Sequence, residues 1–199
     1  MPGNPWPHDM VLRIDQPGHL LTLLFIRAAW ALPTAVELPP LEPVPDAGAS
    51  AMPDTASRGE WAARWEMAWQ RAWAWYDLDG VGQRHPTPET LRSLGPGSPL
   101  IAEFPPMWEI EHGDAGIDRA AFAAWSMSQH DDHHKPLEEH PERRNLDELI
   151  PAWRSGIESI IVLPYAGYFA RRVNRRHLAV CKTTRDDPDL YARALREST

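Results

Sequence analysis

The sequence predicts a mainly helical, single α+β domain with a small sheet near the C-terminus and a proline-rich surface strap. Three observations carry this expectation. Trp61, Trp65, Trp69 and Trp73 recur every four residues within a run of alanines and charges, as on an amphipathic helix. Two short runs rich in β-branched residues, "IESIIVLPY" and "LAVCKTT", fall in the last quarter and read as strands. Six prolines stand between Pro33 and Asp54; they remove backbone donors and fix φ, so no regular helix or central strand can form there. A chain of 199 residues, 43% hydrophobic, can bury a large core without a metal or a disulfide.

The elements follow in order. Residues 1–18 hold four prolines and two glycines and read as an extended lead-in to a domain over residues 19–199. "HLLTLLFIRAAWAL" has too few polar positions for a surface helix and reads as a buried one. Residues 33–54 are a linker or a strap, and the best candidate for mobility. The tryptophan helix runs from about Arg58 to Leu78 and stops in the turn residues "DLDG". A calcium loop over the same stretch fails, because Val81 and Pro88 occupy positions that need oxygen ligands. "TPETLRSLG" is a short helix with Thr87 as N-cap, and "MWEIEHGDAG" alternates like a short strand and turn. "GIDRAAFAAWSMSQHDDHH" is a helix that Pro136 cannot let continue. "NLDELIPAWRSG" is a helix with Asn145 and Glu148 at capping-box spacing and Gly156 as its stop. "AGYFARRVNRRH" fits a hairpin arm or a short helix, and Asp187 with Pro188 opens the last helix.

Charge and cysteine content narrow the function classes. The formal net charge is -8 and the pI about 5.5, which makes nucleic acid an unfavoured partner for the chain as a whole. The longest apolar run, Leu20 to Ile26, is closed by Arg27 and falls short of the ~20 residues of a membrane span. The opening carries Asp9 and Asp15 against Arg13, whereas an export signal starts net positive. Cys181 is the one cysteine, in an apolar run where it acts as a small hydrophobe, and a cytoplasmic setting is expected.

Three sets of residues are candidates for chemistry or binding. The stretch "SMSQHDDHHKPLEEH", Ser126 to His140, holds four histidines, two aspartates and two glutamates. On a helix, His130 and His134 share a face, and two imidazoles at that spacing lean toward one point as ligands of a divalent transition metal. Glu138, Asp131, Glu111 or Asp114 would complete the site as a carboxylate donor, and a bound, acidified water would make the protein a metal-dependent hydrolase. The competing reading is a solvated helix end, where histidines complement the macrodipole. Asp131 follows the first histidine, so the zinc-protease pattern, which needs glutamate there, is absent.

The second set is basic. Between Tyr165 and Arg185 stand six bases and no acid, among them Arg171, Arg172, Arg175 and Arg176. Between Leu100 and Ile150 there are twelve acids and four bases. The favoured expectation is that these charges neutralise each other; exposed, the arginines would hold phosphate or nucleic acid. The third set is the tryptophan helix. Its rings are expected to be core, but Trp73 and Trp75 point in nearly opposite directions, so one of them could meet a partner.

No complete catalytic constellation emerges, neither a glycine-rich phosphate loop nor a nucleophile elbow. The reading of the sequence is therefore a non-catalytic binding or accessory protein acting through contacts with a protein partner or a second copy. A His130/His134 metal hydrolase and an Arg171–Arg176 phosphate or nucleic-acid binder are the alternatives. No cofactor is expected beyond that divalent metal.

Overall fold

The computed structural model describes residues 6–77, 105–129 and 136–199. Among them are eight helices and a four-stranded mixed sheet near the C-terminus, the α+β class the sequence predicts. The chain divides into two compact units. One, the sheet unit, takes Met1–Pro17, Pro39–Val44 and Ser128–Thr199; the other, the tryptophan unit, takes Gly18–Leu38 and Pro45–Met127.

In the sheet unit the strand order is β1 (Arg13–Asp15), β2 (Ser159–Leu163), β4 (His177–Cys181), β3 (Ala170–Arg172). β1, β2 and β4 are parallel, with Ile14 opposite Ile160 and Ile161 opposite Ala179; β3 runs antiparallel to β4, with Arg171 opposite Ala179. β2 reads "SIIVL" without alternation because it is buried on both faces, as central parallel strands are. One face carries Ile160, Val162, Leu178 and Val180. These pack with Leu149 and Ala152 of α6 (Leu146–Arg154) and with Tyr191, Ala194 and Leu195 of α8 (Pro188–Glu197). Two short helices complete the unit, α5 (Pro141–Arg144) and α7 (Lys182–Asp186). Asp187 caps α8 as expected, its carboxylate accepting from the Asp189 and Leu190 amides. Asn145 does not form the expected capping box; its side chain donates instead to the Pro141 carbonyl at 2.9 Å, tying α6 back to α5. Gly156 ends α6 at φ 114°, a conformation open to glycine. "AGYFARRVNRRH" resolves into a hairpin arm.

Within the proline-rich stretch the Glu42 amide bonds the Pro164 carbonyl, the Ala166 amide bonds the Pro40 carbonyl, and Leu41 bridges Tyr165. Two departures concern short segments. The lead-in contributes a strand, β1, whose partner lies far along the chain. "WEIEH" is a helix and not a strand, as described next.

In the tryptophan unit α1 (Gly18–Ala29) buries every residue from Leu20 to Ile26. α2 (Arg58–Ala74) starts with a full capping box between Ser57 and Glu60 and buries Trp61, Trp65, Trp69 and Trp73 on one side. The Trp65 indole donates to the Leu23 carbonyl of α1 at 2.6 Å. A 3-10 turn, Trp75–Asp77, follows. α3 (Trp108–His112) is helical because that winding sets Trp108 against His112, four residues on, with ring centres 4.4 Å apart and planes tilted by 55°, while Trp108 also packs on Trp30 and Trp61. α4 spans Arg119–Ser128. Residues 45–53 lie against the α3–α4 turn: the Gly116 carbonyl accepts from the Ala51 amide and the Trp30 indole, and Asp118 accepts from the Ala49 amide. The expected "TPETLRSLG" helix and, after Asp77, the rest of the "DLDG" stop lie outside the described residues. No helix among the described residues is long and apolar enough to cross a membrane.

Candidate functional site

The basic hairpin of the sheet unit is the place where unanswered charge and unanswered backbone coincide. Asn174 makes the turn: its side-chain oxygen accepts from the Arg176 amide at 2.8 Å and the His177 amide at 3.0 Å, the local bonding that favours asparagine in turns. The Val173 amide then bonds the His177 carbonyl and closes the hairpin. Arg172 braces the loop, donating to the carbonyls of Asn174 (3.1 Å) and Arg175 (3.0 Å). Those acceptors are neutral, so the guanidinium keeps its full charge with no carboxylate beside it. Arg175 is exposed, and its stem lies over Gly156, where an added Cβ would come within 3.1 Å of it. Among the described residues neither Arg172 nor Arg175 has an ion-pair partner.

Their neighbours differ. Arg176 is bound twice by the Glu158 carboxylate, at 2.9 and 2.5 Å. Lys182 pairs with Asp186 one turn along α7. Arg185 is 3% exposed and grips Glu142 through two bonds of 2.7 and 2.9 Å. Arg171 is exposed, on the face of β3 opposite to Ala170 and Arg172. Charge neutralisation within the chain thus accounts for Arg176, Lys182 and Arg185, and leaves Arg172 and Arg175 out.

β3 is also an edge strand. The Val173 amide bonds His177 and the Cys181 amide bonds Phe169, so the hydrogen-bonded pairs of this ladder fall on odd-numbered residues. Arg171 therefore faces β4 with its amide and carbonyl, while Ala170 and Arg172 turn theirs away from the sheet. Among the described residues those outward groups have no hydrogen-bond partner. The two residues are only half-buried, and the edge is accessible.

The other predicted sites stand differently. His130 and His134 lie outside the described residues, and Glu138 sits exposed on a 3-10 turn, Leu137–Glu139. Among the described residues no group of three or more His, Cys, Asp or Glu side chains is placed to hold a metal. Trp73 is 9% exposed and packs with the core, and Trp75 is half-buried against His19 and Tyr76.

Two groups went unnoticed in the sequence. Glu142, Arg185 and Tyr191 form a buried polar cluster, and burial with the Glu142 carboxylate alongside pushes the Tyr191 phenol well above its usual range. No spacing announces it, since Glu142 and Arg185 come from separate helices. His19, in the first turn of α1, has its Nε2 buried without a hydrogen bond, and burial brings its pKa down to about 4. A polar ring opening an otherwise apolar helix was the available signal. Cys181 is buried as expected, its thiol donating to the Gly167 carbonyl at 2.9 Å. Comparison with known proteins finds no matching family model, no matching curated protein and no matching solved structure.

Proposed function

We propose that this is a non-catalytic binding protein that engages an acidic protein partner through the β3–β4 hairpin. The observation that carries the reading is the pair Arg172 and Arg175, two guanidinium groups left without carboxylates among the described residues of a chain of net charge -8. A chain with twenty-eight acidic residues has ample means to neutralise two arginines. Arg172 is also held rigidly by its loop carbonyls, so little side-chain freedom is lost on binding. The overall negative charge repels long polyanions and favours a short acidic segment over nucleic acid. A single thiol buried in β4 suits a cytoplasmic setting.

The test is retention of the protein on immobilised poly-glutamate against increasing salt, with a phosphate-bearing matrix in parallel. Arg175→Glu is expected to elute at clearly lower salt from poly-glutamate, with the fold unchanged by circular dichroism. Equal elution of the two proteins would remove the hairpin from the function. Retention on the phosphate matrix alone would favour the phosphate-binding alternative.

A further inference from the structure

We infer that the partner binds by strand addition, as an extended acidic segment laid along the outer edge of β3. This rests on the reading of the hairpin as a binding surface and names the mode and the ligand. Ala170 and Arg172 present two amides and two carbonyls outward from the sheet, spaced as a strand template. Edge strands are usually blunted, and here the blunting is by the three-residue length of β3 and by arginine. That choice selects the occupant. A second copy pairing edge to edge would set arginine against arginine, and like charges directly opposite destabilise a ladder. Nucleic acid has no row of amides to match the edge. An extended peptide does, and a carboxylate on it opposite Arg172 would lie within cross-strand reach, with Arg175 just beyond the strand end for the next acid.

Ala170 and Arg172 share the face of Leu178 and Val180, so every second side chain of an added strand would stand on the side where Arg172 stands. A segment alternating acidic and small residues, with one acid facing Arg172, fits this register. Backbone bonds would supply much of the affinity and the arginines the selectivity.

The test uses the full chain and a capped peptide of alternating glutamate and threonine, followed by fluorescence anisotropy. Ala170→Pro removes an outward amide that the β3–β4 ladder does not use, and proline is tolerated on an edge strand. Each outward bond lost is expected to weaken binding about three- to tenfold. The same peptide N-methylated at alternate residues keeps its charge and loses its donors, and it is expected to bind the unaltered protein comparably more weakly. It serves as well if Ala170→Pro disturbs the fold. Equal affinity for plain and N-methylated peptides, with Arg175→Glu still weakening both, would overturn strand addition and leave the acidic-partner reading standing. No binding of either peptide would overturn both.

Discussion

Among the described residues the tryptophan unit buries polar atoms without partners: the Trp75 and Trp108 indole N–H groups and the His19 Nε2 have no hydrogen bond. The sheet unit answers most of its buried polar side chains. Glu142 meets Arg185, Asn145 meets the Pro141 carbonyl, Thr184 meets Cys181 and the Phe169 amide, and Ser198 meets the Leu195 carbonyl. Side-chain size explains the difference. A buried indole removes roughly 150–250 Å² from water, worth about 4–6 kcal/mol at ~25 cal/mol per Å², against about 1–3 kcal/mol for an orphaned donor. The tryptophans can carry an unmatched N–H. The smaller side chains of the sheet unit have no such surplus, and its open backbone groups stand instead at the accessible β3 edge. The lesson is that an unmatched polar group in the aromatic unit is a tolerated cost, and one at the sheet edge is an available contact.

The comparison breaks or sharpens through substitutions. The largest effect is expected at Glu142. Glu142→Ala strands a buried guanidinium and should cost about 3–5 kcal/mol in urea unfolding, while the double change with Arg185→Met should recover most of it. A cost below about 1 kcal/mol would mean that the sheet unit does not depend on matched polarity. Next comes Gly116→Ala. Gly116 has φ 79°, and an added Cβ would meet the Ala51 carbonyl at 2.1 Å, so about 3 kcal/mol and the docking of residues 45–53 should be lost, as read by amide exchange at Ala51.

The third effect is pH-dependent. His19 takes a proton near pH 4 in the folded chain and near 6.5 in the unfolded one. Between those values the unfolded state binds the proton and the fold does not. Stability is therefore complete above about pH 6.5, falls by about 1.4 kcal/mol per pH unit below it, and levels off below about pH 4. His19→Leu should flatten that decline in urea titrations on either side of the window. An unchanged pH profile would show that the buried ring carries no such penalty. The smallest effect separates two indoles. Trp65→Phe breaks the bond to Leu23 and leaves a cavity, and should cost about 1–3 kcal/mol; Trp75→Phe removes an orphaned donor and should stay within about 1 kcal/mol of neutral.

What the sequence makes legible follows from how local each feature is. The α1, α2, α4 and α8 helices are written in periodicity and caps, and β2 and β4 in β-branched runs. β1 is not legible, because "RID" is a three-residue strand without alternation and its pairing depends on residues at the other end of the chain. "WEIEH" alternates like a strand, but contacts of Trp108 with Trp30 and Trp61 settle it as a helix. Of the candidate sites, the arginines are visible as charge, while their placement on an edge strand and the bracing of Arg172 by carbonyls are tertiary facts. The Glu142–Arg185 pair is invisible for the same reason.

The pairing of Arg13 with Ser159 also sets an order on biosynthesis. β1 is translated before the tryptophan unit, and its sheet partner only after it. A nascent chain therefore carries an unpaired strand while α1, α2, α3 and α4 are made, and the sheet cannot close until β2 emerges. Contacts of such long sequence separation form late and slowly, so the helical unit should gain protection first. Pulsed amide exchange during refolding should find α2 protected before β2. The binding edge, β3, is then among the last parts of the molecule to be assembled, and a truncated or stalled chain would not display it.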